Sequence, residues 1–569
     1  ITGHDEKIGA HLLQADSHSR QYGPGVLTVS EQRRLAARHS GILVDEQPYV
    51  ILVGLGRRGG NHLRHEIDGG VGTHAPEYSG YLLHIRCFSP RACPPSTLVA
   101  NCGNHRGEKN AVSGDHQHQR TFGVRDMTLF TVSAIVLLDT LAASASIGVS
   151  SITWWFLLGL LFFIPYGLIS AELGTTYPEQ GGIYAWVRDA FGPRWGTRVT
   201  WLYWLNTTIW NASIFVLFAG VFAQMFFPDL SLGAKLAIAI GVNWLVVLVT
   251  TFSLNIGKWV PNVGATIKMI AFAALISAGV AFALRADTQF ANDFSLWAFV
   301  PEWGASTQYI STIIYGMLGF ELMSSASAEM KDPVRDVPRA ILWSGIAIFL
   351  AYVLGTFAIL AAIPVGDIDL VEGLVDTLRH LFGGSTLGVA AASVLGVMVM
   401  LTFLSNGVTW AIGCCRAATE AAIDGELPRF LAKEHPTYGT PVGSAIAMGT
   451  VTTLVLVAYG LLASSNEDLF WSLFAASAVL FILPYVGVVA AFRYARTHDA
   501  ERPRPFRVPG GNGVASVVTV VCIGLLLMTA LLFMYVPGTG FDWPVVIGAI
   551  VSILFGEAMI FLAEHQKRS

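Results

Sequence analysis

The chain has 569 residues, of which 53% are hydrophobic and only 13% are charged, whereas an ordinary globular protein has about 25% charged residues. Its mean hydropathy is +0.55, and this combination predicts an integral membrane protein. The formal net charge of −4 excludes the strong basic excess that is typical of nucleic-acid-binding proteins. We therefore expect no nucleic-acid partner.

Residues 1–126 differ from the rest of the chain because they contain no Met, no Trp and no sustained apolar periodicity. Gly54, Gly56 and Gly59 match the G-x-G-x-x-G spacing of dinucleotide-binding loops, but glycines and a proline follow where that motif needs a helix. The cysteines and histidines of this region are irregularly spaced, so we expect no metal site. The first methionine is Met127. We expect residues 1–126 to be a polar extension that is disordered or not native to the protein.

From residue 127 onward the chain contains apolar segments long enough to cross a bilayer, which takes about 20 helical residues. Twelve spans are predicted, at 127–148, 152–173, 198–226, 234–254, 260–284, 306–329, 338–363, 386–422, 442–462, 467–493, 513–536 and 541–563. The predicted fold class is therefore an all-α integral membrane protein. Its twelve-helix domain occupies residues 127–563, and residues 564–569 form a short tail.

Basic residues indicate the orientation of these spans, because Lys and Arg accumulate in cytoplasmic loops. If the N-terminus is inside, the outer loops contain only Lys235, Arg285 and Arg379 as basic residues. The other basic loop residues of the twelve-helix domain then face the cytoplasm. We expect a multi-pass protein of the cell membrane with both termini in the cytoplasm.

The first and sixth spans share two features. Each contains a run of small residues, at 142–146 and 324–328, and each contains one carboxylate, Asp139 or Glu321. Small residues allow close helix packing, which is one interpretation. The alternative is a pair of interrupted helices in two inverted repeats, whose free backbone ends hold a substrate near the membrane midplane. Carboxylates inside spans are costly and usually functional, and they favour the second interpretation.

Four segments carry a resemblance to a known superfamily. They are "AELGTTYPEQGGIYAWVRDAFGPRWG" at 171–196, "GFELMSSASAEMKDPVRDVPRA" at 319–340, "CCRAATEAAIDGELPRFLAKEHPTYGTPV" at 414–442 and "RPFRVPGG" at 504–511. Together they resemble the amino acid–polyamine–organocation (APC) transporters, and most of all the bacterial glutamate–GABA and arginine–agmatine antiporters. The resemblance implies a LeuT-type fold: a 5+5 inverted repeat with broken helices 1 and 6, followed by two C-terminal helices.

The resemblance also implies a substrate site. Its positions in this sequence are Ala142, Ala143, Ser144, Ala145, Tyr203, Asn211, Tyr315, Gly319, Phe320, Glu321, Trp410 and Tyr485. The run at 142–145 departs from the Gly-Ser-Gly-type break of many members, which puts substrate recognition there in question.

Proton coupling is expected at Glu321, Lys268 and Asp139, since relatives use a carboxylate and a lysine at the first two positions. Glu321 has a second interpretation as a structural carboxylate bonded to its neighbours. For Lys268 the alternative is a lysine that extends to the cytoplasmic membrane surface.

The leading functional hypothesis is a secondary transporter that moves amino acids or related amines by alternating access, as an exchanger or a proton symporter. A polyamine or organic-cation permease is the main alternative. A channel or a membrane-embedded enzyme is less favoured, because the sequence shows no filter motif and no histidine within the spans. The expected partners are the small-molecule substrate, protons and the lipid bilayer, with no cofactor.

Overall fold

The computed structural model describes residues 51–57, 81–87, 123–177, 182–252, 256–285, 288–321, 332–383 and 385–568. The chain divides into two units, Ile1–Gly114 and Asp115–Ser569. The predicted small-residue run at 324–328 lies outside the described residues. The nature of residues 1–126 and the boundaries of the domains stay predictions.

In the first unit, two strands pair antiparallel, β1 (Ile51–Arg57) and β2 (Tyr81–Cys87), with Gly54 opposite His84. The strand β1 carries Gly54 and Gly56 of the glycine motif. A dinucleotide-binding unit needs a helix and a parallel strand after that motif. The antiparallel pairing therefore agrees with the sequence argument against such a site.

The described part of the second unit consists mainly of helices. It also contains a short hairpin of two strands with two residues each, β3 (Tyr535–Val536) and β4 (Gly540–Phe541). Its α-helices are α1 (Val124–Ile135), α2 (Leu141–Ala145), α3 (Ser150–Leu158), α4 (Ile164–Thr176), α5 (Ile183–Phe191), α6 (Pro193–Phe226), α7 (Leu232–Phe252), α8 (Ile256–Ala283), α9 (Ile310–Tyr315), α10 (Pro333–Ala362), α11 (Gly373–Phe382), α12 (Thr386–Ile423), α13 (Val442–Gly460), α14 (Asn466–His498), α15 (Gly511–Met534) and α16 (Trp543–Arg568). A π-helical turn, Gly159–Phe163, joins α3 to α4.

Within the described residues, ten helices are long and apolar enough to cross a membrane. They coincide with ten of the twelve predicted spans to within a few residues, so the all-α membrane class is confirmed. The two remaining predicted spans, the first and the sixth, correspond to shorter helices, and the count of twelve stays a prediction. The last helix continues to Arg568, through most of the segment predicted as a tail.

Two helices form the centre of the bundle. In the most apolar 18-residue stretch of α6 and of α14, 78% is buried inside the protein. The corresponding share is 22–50% in the other eight spanning helices. A helix that is apolar all round and buried all round is a core helix, while the less buried ones have a face left for lipid. Both cavities described below lie against α6, and the smaller one also lies against α14.

The first predicted span is divided between α1 and α2 by the non-helical residues 136–140. Polar groups of other helices bond to the backbone near this division. The hydroxyl of Tyr352 in α10 donates to the Ile135 carbonyl at 2.8 Å and accepts from the Leu137 N–H at 3.0 Å. Such bonds are needed because a free backbone group in a membrane interior costs several kcal/mol.

In the sixth predicted span, α9 ends at Tyr315 and residues 316–319 are not helical. Gly319 has a φ of +127°, a conformation that side chains rarely allow. A Cβ added there would lie 2.6 Å from Cγ1 of Ile135 at the end of α1. The two non-helical segments therefore meet in close contact. Residues 322–331 lie outside the described part of the chain, and a broken sixth helix stays a prediction.

A buried ion cluster ties α4 to the end of α14 and to the loop before α15. The carboxylate of Glu172 accepts two bonds from Arg496, at 2.8 and 2.5 Å, and lies 3.2 Å from Nε of Arg504. The Val508 N–H donates to the same carboxylate at 2.7 Å. All three charged side chains are at most 7% exposed. We call the end of the bundle that contains this cluster and the start of α1 the basic end.

Candidate functional site

A cavity of about 980 Å³ enters the bundle from the basic end. Asp126 at the start of α1, Tyr184 in α5 and Asn262 in α8 line its outer part. Its inner part is lined by Tyr203, Lys268, Glu321 and Trp410. Four of the residues predicted from the sequence are thus brought together at the inner end of one cavity.

A second, smaller chamber lies where the two non-helical segments meet. Its lining residues come from α1 and the non-helical segment after it, from α6, from α9 and the non-helical segment after it, from α12 and from α14. They are Ala134, Ile135, Leu137, Asn206, Trp210, Tyr315, Leu318, Gly319, Trp410 and Phe481. Its free volume of about 20 Å³ has room for roughly one water molecule. The chamber is therefore closed around a very small space.

Trp410 lies where the chamber adjoins the cavity, and together with Ala134 it lines both. Its ring centroid lies 5.9 Å from that of Tyr203 and 5.9 Å from that of Trp210, both on α6, and 6.5 Å from that of Phe481 on α14. Tyr315 completes this aromatic group, with its centroid 5.3 Å from that of Phe481. Aromatic faces of this kind attract a cation and also cover apolar groups.

Glu321 is buried between two tyrosines from different helices. The hydroxyl of Tyr485 in α14 donates to one carboxylate oxygen at 2.6 Å, and that of Tyr166 in α4 donates to the other at 3.1 Å. Glu321 is only 2% exposed. The carboxylate thus links α4 and α14 directly beneath the aromatic group.

Lys268 in α8 is also 2% exposed. Its ammonium donates to the Ser133 carbonyl in the last turn of α1 and lies 3.4 Å from Oδ1 of Asn406 in α12. The ammonium therefore bonds within the bundle, whereas a lysine that extended to the membrane surface would keep its charge in water. It joins α1 to α8 and α12 at the inner end of the cavity.

Asp139 lies within the non-helical residues 136–140 and is 4% exposed. Its Oδ2 accepts a bond from the indole N–H of Trp210 at 3.0 Å. Its Oδ1 has no hydrogen-bond partner among the described residues. Through Trp210, the carboxylate contacts the wall of the aromatic chamber.

Several residues predicted for the substrate site lie elsewhere. The run Ala142, Ala143, Ser144 and Ala145 is buried in α2 and lines neither cavity; Ser144 bonds to Thr356 of α10 at 3.1 Å. This placement agrees with close helix packing for that run.

Two further predicted residues face other helices. The amide nitrogen of Asn211 lies 3.7 Å from the Met448 sulfur of α13. Phe320 stacks on Phe163, with centroids 4.7 Å apart. The chamber is lined instead by residues close to these in the chain.

The structure adds residues that the sequence analysis did not select, namely Tyr166, Asn206, Trp210 and Phe481. A signal existed for three of them. Asn206 and Trp210 follow Tyr203 by three and seven residues, and Phe481 precedes Tyr485 by four, which are the spacings of one helix face. Tyr166 had no such signal, because only the packing of α4 brings it to Glu321.

Comparisons with known proteins show which sequences this chain is similar to. A family model described as "Amino acid permease" matches residues 122–556. The probable agmatine/putrescine antiporter AguD of Lactococcus lactis is 36% identical over 445 residues, covering 77% of this chain and 94% of that protein. The polyamine transporter PUT1 of Oryza sativa is 26% identical, covering 66% and 65%. The branched-chain amino acid permease BcaP of Bacillus subtilis is 23% identical, covering 80% and 96%.

Proposed function

We propose a function from one premise: this chain belongs to the amino acid permease family. It is therefore a multi-pass membrane protein and a secondary transporter. Our proposal is that it exchanges small amines or amino acids across the cell membrane by alternating access. Relatives named for agmatine, putrescine and polyamines favour an amine substrate, and a relative named as an amino acid permease keeps amino acids in the class.

The observation that carries the proposal is the cavity that ends at a closed aromatic chamber. The cavity leads from the basic end toward the chamber, and in the proposal Trp410 closes the passage between them. In the proposal, the basic end and both termini face the cytoplasm, and the positive-inside rule supports this orientation. The arrangement then corresponds to a carrier whose vestibule is open to the cytoplasm and whose substrate chamber is contracted.

The contacts of Glu321 support a role in coupling. As a carboxylate it accepts one bond from Tyr166 and one from Tyr485. Protonation turns one oxygen into a donor and makes it a poorer acceptor, so the bond that this oxygen accepts weakens or reverses. In the proposal, this change loosens the link between α4 and α14 and so biases the equilibrium between inward-facing and outward-facing states. Lys268 keeps α1 in register with α8 and α12 in the inward-facing state.

The test is counterflow of labelled agmatine, putrescine, arginine and leucine into proteoliposomes, measured over a pH series. We expect wild-type protein to exchange at least one of these, with a rate that depends on pH. The variant Glu321→Gln is expected to keep exchange but lose most of its pH dependence, because the amide cannot titrate. The exposed Glu302 offers a matched control, and Glu302→Gln should behave as wild type.

Two outcomes would contradict this proposal at different levels. If wild-type protein exchanges none of the four compounds, the substrate class is wrong. If exchange occurs and Glu321→Gln keeps the wild-type pH profile, the coupling role of Glu321 is wrong while the transport function stands.

A further inference from the structure

One oxygen of the Asp139 carboxylate is left without a hydrogen-bond partner. Oδ2 is bonded to Trp210, and Oδ1 is buried and unpaired within the described residues. The backbone N–H groups of Asp139 and Thr140 also approach the carboxylate, but neither gives Oδ1 a bond of normal geometry. A buried charged oxygen without a partner is unfavourable, so the site is incomplete in the absence of a donor.

The lysine in this region does not complete the site. Lys268 gives its ammonium to the Ser133 carbonyl and to Asn406, and Asp139 forms no ion pair with any residue that the structure describes. No donor among the described residues completes the site, so we consider a donor that a ligand supplies. Lys268 acts on the charge of Asp139 from a distance, and a cationic donor in contact with Oδ1 compensates that charge more fully than a water molecule does.

The chamber wall beside Asp139 favours a cation and has no positive charge to pair with a carboxylate. None of its ten lining residues is charged, and four of them are aromatic: Trp210, Tyr315, Trp410 and Phe481. The Leu137 N–H, at the break that would face a substrate carboxylate, is already bonded to the hydroxyl of Tyr352. A zwitterion would thus bring its anionic end into a chamber that contains no positive side chain.

We infer that Asp139 binds an ammonium group of the substrate and makes the carrier select amines that have no carboxylate over the corresponding amino acids. The inference rests on the proposed transport function and narrows its substrate class. The substrate ammonium donates to Oδ1 of Asp139, and the aromatic faces of Trp210 and Trp410 cover its alkyl or cationic remainder. Asp139 is then a substrate-binding residue, and proton coupling falls to Glu321.

Agmatine and arginine form a matched pair of probes, since they differ only by the carboxylate. We expect purified wild-type protein to bind agmatine at least about tenfold more tightly than arginine, measured by ligand-induced shifts of the melting temperature. In Asp139→Asn, agmatine affinity should fall by about tenfold to a hundredfold, as for loss of a charged hydrogen bond. Arginine affinity should be unchanged or higher, so the preference between the two probes disappears.

The melting temperature without ligand separates a binding role from a structural one. Asp139→Asn keeps an acceptor for Trp210 and removes an unpaired buried charge, so it should melt at or above the wild-type temperature. A large decrease would mean that Asp139 is structural, and the inference would be wrong. Asp139→Glu keeps the charge and is expected to retain a preference for agmatine, while the exposed control Glu302→Gln retains it fully.

Failure of this inference is distinguishable from failure of the proposed function. If wild-type protein transports neither agmatine nor arginine, the proposed function fails first. If wild-type protein transports them and Asp139→Asn shows the same ratio of agmatine to arginine affinity, Asp139 does not select the substrate. A wild-type protein that prefers arginine would also overturn the inference.

Discussion

Replacing Glu172 by glutamine tests how strongly the buried ion cluster stabilises the basic end of the bundle. In the wild-type protein, the Glu172 carboxylate accepts hydrogen bonds from Arg496 and the Val508 N–H, and it forms an ion pair with Arg504 at 3.2 Å. Glutamine has the same shape, but only one of its two terminal atoms accepts hydrogen bonds. The substitution therefore leaves two buried guanidinium groups without their shared anion.

The expected cost follows from these contacts. Removing one partner of a buried ion pair typically costs about 3–5 kcal/mol, because the other charge stays buried. Both arginines keep some acceptors here: Arg496 bonds to the Val508 carbonyl, and Arg504 bonds to the carbonyls of Ala495 and Asp499. We therefore expect a loss at the lower end, about 3 kcal/mol, which lowers the melting temperature by roughly 3–6 °C in a bundle of this size.

The assay is thermal unfolding of purified protein in detergent, with Asp499→Asn as the control. Asp499 lies in the same region and accepts a bond from Tyr177 at 2.8 Å, but its pair with Arg502 is long, at 3.8 Å, and 44% exposed on the Asp499 side. An exposed pair contributes about 0–1 kcal/mol, so this variant should melt within about 2 °C of wild type. Equal melting temperatures for Glu172→Gln and wild type would refute the prediction that the ion cluster stabilises the folded protein.

Two further predictions concern the helix break and the outer loop. Gly319→Ala should abolish exchange and lower the melting temperature, because the added methyl group lies 2.6 Å from Ile135 and the φ of Gly319 is +127°. Gly304→Ala is the control, since a Cβ at Gly304 meets open space, and it should change neither exchange nor the melting temperature. Burial raises the pKa of Glu372 against the opposing effect of Lys235, so the folded state favours the protonated acid. Stability should therefore fall as pH rises through that raised pKa. When the melting temperature is measured over a pH series, Glu372→Gln should show a smaller decrease in this pH range than wild type. An unchanged slope would contradict the role of Glu372.

The positions of the spanning helices were predictable because each one is encoded locally. A segment in lipid must satisfy its own backbone hydrogen bonds and present apolar side chains over about 20 residues, and both requirements are visible in a short window of sequence. The same argument identified Glu321 as functionally interesting, since a carboxylate in such a window is costly. Its tyrosine partners lie 155 and 164 residues away in the chain.

The positions of the predicted site residues relative to the chamber depended on tertiary packing, which no short stretch of sequence records. Asn211 and Trp210 are neighbours in sequence, yet only Trp210 reaches the chamber, because adjacent residues on a helix point about 100° apart. The rotation of α6 about its axis is set by its packing against α12 and α14, and no local pattern records it. For the same reason the small residues of α2 pack on α10, and the chamber is lined by Ala134, Ile135 and Leu137 around the break.

The sequence by itself thus determined which segments enter the membrane, which superfamily the chain resembles and that Asp139 and Glu321 needed an explanation. Only the tertiary structure decided that Glu321 is satisfied by two tyrosines while Asp139 keeps one oxygen free. The physical reason is that hydrophobicity acts segment by segment, whereas a hydrogen-bond partner in a helical bundle comes from whichever distant helix packs against the site.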